Sequence, residues 1–158
     1  SDVAVLIPCL NEEKTVGTVV EGFRRHLPGA EIYVFDNRST DRTSEIARQA
    51  GAKVIFSPRR GKGNVIRHMF DLVDSPFYLM ADGDATYPCE EAPKMIHTIR
   101  EQDADMVILL HRDDAYERES PRSGEADFIL AKHRNGPTQT VTVAFQGHYS
   151  RFVDMAQI

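Results

Sequence analysis

The chain has 158 residues, of which 41% are hydrophobic and 27% charged, with a formal net charge of -5. That length and balance are those of one globular unit large enough to bury a core, and they exclude a low-complexity or fibrous chain. The acidic excess argues against nucleic-acid binding over the whole surface, and no apolar run approaches the roughly 18 residues needed to cross a bilayer.

In chain order, Val3-Ala4-Val5-Leu6-Ile7 is a continuous apolar run stopped by Pro8, the pattern of a central parallel strand. No secretion signal precedes it, and the expected location is the cytoplasm. Asn11 is placed to cap the helix that follows, Glu12 and Glu13 to complement its dipole, and Val16, Val19, Val20, Phe23 and Leu27 to form its apolar stripe. Pro28-Gly29 ends that helix. The plan then repeats. Ile32 to Phe35 is a strand and Asp36 to Asp41 a polar loop, in which Ser39 or Thr40 caps a helix running to Ala50 and closed by Gly51. Lys53 to Phe56 is a third strand, leading through Arg59-Arg60-Gly61-Lys62-Gly63-Asn64 into a helix with Val65, Ile66, Met69, Phe70 and Leu72. Phe77 to Ala81 is a fourth strand, ending at Asp82-Gly83-Asp84; Glu90 to Arg100 is a helix with Met95, Ile96 and Ile99 inward, and Asp105 to Leu110 a fifth strand. Such alternation predicts an α/β fold of three layers, Rossmann-like, with a mostly parallel sheet and helices on both faces. Beyond a charged loop at Asp113 to Ser123, Phe128 to Ala131 and Thr140 to Phe145 flank the turn signal Asn135-Gly136-Pro137. They predict a C-terminal antiparallel hairpin that extends the sheet after the fifth strand and could pair two copies of the chain along its edge.

Chemistry is expected where the parallel strands end, because ligands of open α/β sheets bind in the crevice beyond the strands' carboxyl ends. Asp82 and Asp84 can meet one divalent cation, with Gly83 letting the backbone turn so that both reach it, or they can cap the next helix. Asp36, at the tip of the second strand, can hold a ribose hydroxyl or a base edge, or belong to an ordinary capping loop. The basic, glycine-rich stretch around Lys62 suits a pyrophosphate. It is not a Walker loop, since Gly63 follows Lys62, and residues 10–17 lack the glycines of a dinucleotide turn. The six histidines show no metal spacing, and Cys9 and Cys89 have no zinc spacing. Reduced thiols are the default for an intracellular chain, with a disulfide left open.

Four motifs in order, LIPCLNEEKTVGTVV, VFDNRSTDRTSEIA, GKGNVIR and MADGDATYP, each at a strand end, make residues 3–108 resemble the N-terminal, nucleotide-binding half of family-2 glycosyltransferases of GT-A fold. The resemblance implies that Pro8, Asn11 and Glu13 border a nucleotide pocket, that Asp36 contacts base or ribose, and that Lys62 lies near the nucleotide. It implies Asp82 and Asp84 as a metal pair, with Asp84 the more direct ligand, holding Mg2+ or Mn2+ against the diphosphate. Asn37 stands where the family commonly has a second aspartate.

From about Glu101 onward, and most densely at AKHRNGPT and SRF, the chain is similar to the C-terminal end of DnaB-type replicative helicases. There the resemblance implies a pair, Lys132 and Arg134, that reaches into a neighbouring subunit's ATP site. With no cognate ATP loop in this sequence, the pair is read as a solvated or structural basic edge. The expected organisation is therefore a chimera folded as one α/β domain over 1–158, glycosyltransferase-like over 1–104 and helicase-like, sheet-completing over 105–158. The expected function is binding of a nucleotide or nucleotide sugar with a divalent metal, with transfer impaired because the family's acceptor half and base are not recognisable. The alternative is an inactive recombined protein of structural interest.

Overall fold

The computed structural model describes residues 2–86 and 88–102 in full and, beyond them, the backbone of four strands within 106–153. Among the described residues the strands are β1 (Val3–Cys9), β2 (Glu31–Asp36), β3 (Lys53–Phe56), β4 (Phe77–Met80), β5 (Met106–His111), β6 (Glu125–His133), β7 (Val141–Gln146) and β8 (Arg151–Val153). The helices are α1 (Val16–His26), α2 (Thr43–Gln49), α3 (Lys62–Leu72) and α4 (Ala92–Glu101), the last preceded by a 3-10 turn at Cys89–Glu91.

Four strands run parallel in the order β3-β2-β1-β4, and β1 is the inner one through which both halves connect. It is buried on both faces, which is why its sequence is a continuous apolar run instead of an alternating one. Val3, Val5, Ile7 and Cys9 point to the face covered by α1, α2 and α4, where Val16, Val19, Val20, Phe23, Ala47, Met95 and Ile96 pack. Ala4 and Leu6 point to the other face, against Val65 and Met69 of α3 and against Phe35, Tyr78 and Met80. Three layers with helices on both faces result, as the alternation of elements predicts. Helix ends are tied across the molecule as well. Gly51, at φ 101°, closes α2 beneath the Arg24 guanidinium of α1, which donates to the carbonyl of Ala50 at 2.8 Å.

The second half of the sheet departs from the expected order. β5 does not lie beside β4, and the hairpin does not extend the sheet after it. Instead β6 runs antiparallel between the two, with Lys132 opposite Tyr78 of β4 on one side and Met106 of β5 on the other. β6 has nine residues while β4 has four, so the end of β6 at Ala131–His133 seals β4 and its beginning at Glu125–Phe128 is left to pair with β7. An apolar run announces a buried strand but carries no information about which neighbour it takes, and antiparallel pairing needs only a short return of the chain. β6 and β7 do form the predicted antiparallel pair, and β8 adds to β7. Lys132 accordingly lies on an interior strand and not at a basic edge; Arg134, the turn 135–137 and the loop 113–123 fall outside the described residues.

Gly83 also has a different role from the one expected. Among the described residues only Gly51 and Gly61 are glycines at positive φ, and the left-handed residue of the turn after β4 is Ala85, at φ 62°. Gly83 is small because it is pressed onto β1: a Cβ there would lie 2.5 Å from Cys9 Sγ. Its carbonyl accepts from Thr15 Oγ1 at 2.6 Å, so the strand 4 turn cannot back away from the contact without losing a bond. Gly83→Ala is therefore expected to cost about 1–3 kcal/mol of stability in denaturant melts. The same substitution should cost clearly less in a Cys9→Ala background; an equal loss in both backgrounds would show that the two side chains do not compete for this space.

Candidate functional site

Register brings the strand tips together. Cys9 of β1 is level with Asp36 of β2, and the backbone continues the ladder past the strands: Asn37 N–H donates to Cys9 O at 2.8 Å, Ser57 N–H to Asp36 O at 2.8 Å, and Ala81 N–H to Leu6 O at 3.2 Å. The loops leaving these tips are then stitched by side chains. Asn11, at φ 54°, does not cap α1, which begins at Val16 without a side-chain cap. Its amide N–H donates to Ser39 Oγ at 2.9 Å and its Oδ1 accepts from Thr40 N–H at 2.8 Å. Ser39 and Thr40 are thus occupied with Asn11, and α2 begins only at Thr43, likewise without a side-chain cap. Glu13 repeats the exchange one step further: its N–H donates to Asp41 at 3.2 Å and its carboxylate accepts from Arg42 N–H at 3.1 Å.

Asp36 is buried, and both carboxylate oxygens are engaged, one by Ser39 N–H at 2.9 Å and the other by Ser44 Oγ–H at 2.5 Å. Asn11, Glu13 and Asp36 therefore hold the loops to one another and do not line the cavity those loops surround. Pro8, Lys62, Asp82 and Asp84 do line it. The cavity measures about 350 Å³ and is completed by Cys9, Leu10, Glu12, Asn37, Gly61 and Val65.

Its walls differ in character. One is acidic: Glu12 from the loop after β1, with Asp82 and Asp84 from the loop after β4. Asp84 Oδ1 accepts from Thr86 N–H at 3.1 Å and from Thr86 Oγ–H at 2.7 Å, while Oδ2 has no donor among the described residues. The opposite wall is the start of α3. Gly61, at φ 105°, precedes a helix whose first N–H groups, those of Lys62 and Gly63, have no side-chain cap among the described residues. Lys62 Nζ reaches across to Asp82 Oδ1 at 2.6 Å. Leu10, 53% exposed at the rim, and Val65 supply apolar surface. Among the described residues no cluster of three or more His, Cys, Asp or Glu side chains could cage a metal. His68 is structural, with Nδ1 3.1 Å from Ser57 Oγ and its ring edge-on to Phe35.

Crowded negative charge marks the acidic wall. Burial, the Asp84 charge and then that of Asp82 raise the Glu12 pKa above its ordinary value, against a lowering bond from Thr15. The Cys9 thiol is pushed up far more, first by burial and then by Glu12, Asp36, Asp82 and Asp84, so it stays protonated and is no nucleophile. That all four carboxylates act on one sulfur shows how closely the tips converge.

Four lining residues had readable signals that pointed elsewhere. Glu12 looks like a helix-dipole residue, Cys9 a reduced thiol without zinc spacing, and Leu10 the start of a stretch that lacks a dinucleotide turn. Asn37 looks like a departure from a paired-aspartate loop, and its chemistry shows why an amide stands there. Its Nδ2–H2 donates to the carbonyls of Ser57 at 2.9 Å and Arg59 at 2.8 Å, and its Oδ1 accepts from Gly61 N–H at 3.2 Å. A carboxylate has nothing to donate to two carbonyls. Asn37→Asp is therefore expected to cost about 1–3 kcal/mol and to speed amide exchange across residues 57–61, read by denaturant melts and hydrogen exchange. Glu12→Gln should act in the opposite sense. A carboxyl with a raised folded-state pKa costs stability as pH rises through that value and nothing where folded and unfolded states are both protonated. The variant should melt higher than the parent near about pH 7 and together with it near about pH 3, measured without added metal.

Comparison with known proteins follows the same lines. The family model "Glycosyl transferase family 2" matches residues 4–154, further than residues 3–108, over which the sequence motifs carry the resemblance. Protein RfbJ of Shigella flexneri is 50% identical over 107 residues, which cover 68% of this chain and 83% of RfbJ. The replicative DNA helicase DnaB of Leifsonia xyli subsp. xyli is 74% identical over 58 residues, covering 37% of this chain but only 13% of the helicase. That stretch is close in length to residues 101–156, where the sequence is similar to the helicase. Glucosyl-3-phosphoglycerate synthase from Mycobacterium tuberculosis, solved with Mn2+, uridine diphosphate and glucosyl-3-phosphoglycerate, superposes with a TM-score of 0.64 at 22% identity, over 74% of this chain and 46% of that one, and shares the fold. By the extent of the family match and by the RfbJ likeness, the chain belongs to glycosyl transferase family 2.

Proposed function

We propose that the cavity at the parallel strand tips binds the nucleoside diphosphate of a nucleotide sugar together with Mg2+ or Mn2+, and that this donor binding is what the described part of the chain contributes to a glycosyltransferase. The observation that carries the reading is the pairing of Asp82 and Asp84 on one wall with Lys62 and the first N–H groups of α3 on the other. A diphosphate placed between them meets a cationic side chain and a helix N-terminus, both of which stabilise its charge.

The donor set fits the metal. Two carboxylates with no third protein ligand suit a hard cation that keeps several waters and takes further oxygens from phosphates, and Asp84 Oδ2 has no competing donor among the described residues. Bound there, the cation would stabilise the charge on a departing nucleoside diphosphate. Asp84, aligned by Thr86, and Asp82 would hold it. Lys62 would bind a phosphate oxygen, and Leu10 and Val65 would offer apolar contact to a flat ring. Asn11, Glu13, Asp36 and Asn37 would keep the loops in register around the ligand. Transfer to an acceptor further needs a carboxylate that takes the acceptor proton, and among the described residues Asp82 and Asp84 of this cavity are assigned to the metal and no group is assigned that task. Binding without efficient turnover is accordingly proposed.

A second reading has its own support in the 74% identity of one segment to a DnaB helicase. On this reading the chain is a recombined α/β protein in which borrowed strands complete a sheet and no ligand is bound. Titration calorimetry with uridine and guanosine diphosphates, with and without Mn2+, separates the two. Metal-dependent binding of either nucleotide, weakened at least about tenfold by Asp84→Ala in a variant that still melts cooperatively, supports the first. Absence of metal-dependent heat with both nucleotides, from a folded sample, overturns it.

A further inference from the structure

The ion pair across the cavity bears on the order in which ligands can enter. Lys62 is the first residue of α3 and Asp82 lies just after β4, so the 2.6 Å contact joins the two walls that a ligand must separate. Both groups remain partly in water, with side-chain exposures of 45% and 35%, so neither is locked in place by burial. Among the described residues, Lys62 is the single cationic side chain on a cavity whose acids are Glu12, Asp82 and Asp84. Its ammonium already neutralises one of the two carboxylates assigned to the metal.

Resting on the nucleotide-and-metal reading, we propose that Lys62 is an internal counter-ion that keeps Asp82 from a divalent cation until a diphosphate draws the ammonium away. Without nucleotide, a cation has to displace an ammonium from Asp82 and then share the cavity with it, two like charges in one small space. A diphosphate gives Lys62 a better acceptor. The Lys62–Asp82 pair is exchanged for a Lys62–phosphate pair and an Asp82–metal pair, and neither member of the original pair is left without a partner. Cation and diphosphate therefore favour each other's binding, by equal factors in the two directions. Lys62 is a positioning residue for the metal as well as a phosphate ligand.

The two roles differ in sign when the charge is removed. If Lys62 only bound phosphate, Lys62→Met would weaken nucleotide binding and leave Mn2+ alone unaffected. If Lys62 were needed to shape the cavity, the substitution would weaken both. As a counter-ion, its loss tightens Mn2+ binding in the absence of nucleotide, by about two- to fivefold for a partly exposed pair, while the enhancement of Mn2+ binding by uridine diphosphate shrinks. The test uses the full chain, with free Mn2+ followed by its electron paramagnetic resonance signal, first without nucleotide. Lys62→Arg keeps the charge and should bind Mn2+ alone as the parent does. Tighter Mn2+ binding by Lys62→Met, with Lys62→Arg unchanged, supports the proposal. Unchanged, weaker or undetectable Mn2+ binding by Lys62→Met overturns it. The nucleotide-free arm does not depend on the proposed function: silence with both diphosphates would remove that reading while the Mn2+ comparison still decided whether Lys62 screens Asp82.

Discussion

Main-chain hydrogen bonds at the tips of β1, β2 and β4 govern everything above them. Within a sheet each strand is paired by its neighbour, but at the end the last carbonyls must find donors or face the cost of leaving them unmet. Here residues just beyond β2, β3 and β4 donate to the neighbouring strand: Asn37 to Cys9 and Ser57 to Asp36 at the strand ends, and Ala81 to Leu6 within β1. Each loop is thereby started in a direction fixed by the adjacent strand. The reciprocal bonds between Asn11 and Ser39 or Thr40, and between Glu13 and Asp41 or Arg42, form a second course on the first. Polar residues that look like ligands are thus spent on holding the rim, which frees Glu12, Lys62, Asp82 and Asp84 to face the cavity.

This division explains what could be read in the sequence and what could not. Parallel strands buried on both sides write themselves as apolar runs, and amphipathic helices as a stripe at helical spacing, so β1 to β4 were legible within two residues of their ends, while the four helices were legible as elements but α1 and α2 begin later than their expected caps. The location of the site was legible too, since a parallel sheet has one edge where its loops open. Individual roles were less so. Asn11, Ser39 and Thr40 are good capping residues by type, yet each found a stronger partner on another loop, at a separation of 28 or 29 residues that local pattern cannot register. Asp36 and Asp84 are both acids at strand ends. One is shut in by Ser39 and Ser44 while the other stays exposed, a difference made entirely by tertiary contacts.

Backbone conformation at the tips shows a related pattern. Among the described residues, each of the four loops that leave β1 to β4 contains one residue at positive φ: Asn11, Arg38, Gly61 and Ala85. Asparagine and glycine accept that conformation readily, whereas arginine and alanine do so at some cost. The cost is borne where the chain must reverse direction within a few residues and still present a side chain to the cavity, as Ala85 does for its neighbour Asp84. Strain of this kind persists only where surrounding bonds over-determine it, and the paired loops meet that condition.

β6 has a consequence for how the sheet comes to exist at all. The edge of β4 is closed by His133, Lys132 and Ala131, more than fifty positions along the chain from Phe77, Tyr78 and Leu79. Until that far segment arrives, the inner half of the sheet presents a row of bare amides and carbonyls, the surface most prone to sticking to another molecule. What the segment supplies at this seam is main-chain pairing, which any sequence able to lie extended can provide. Any extended segment whose length and direction match the gap can therefore finish such a parallel core.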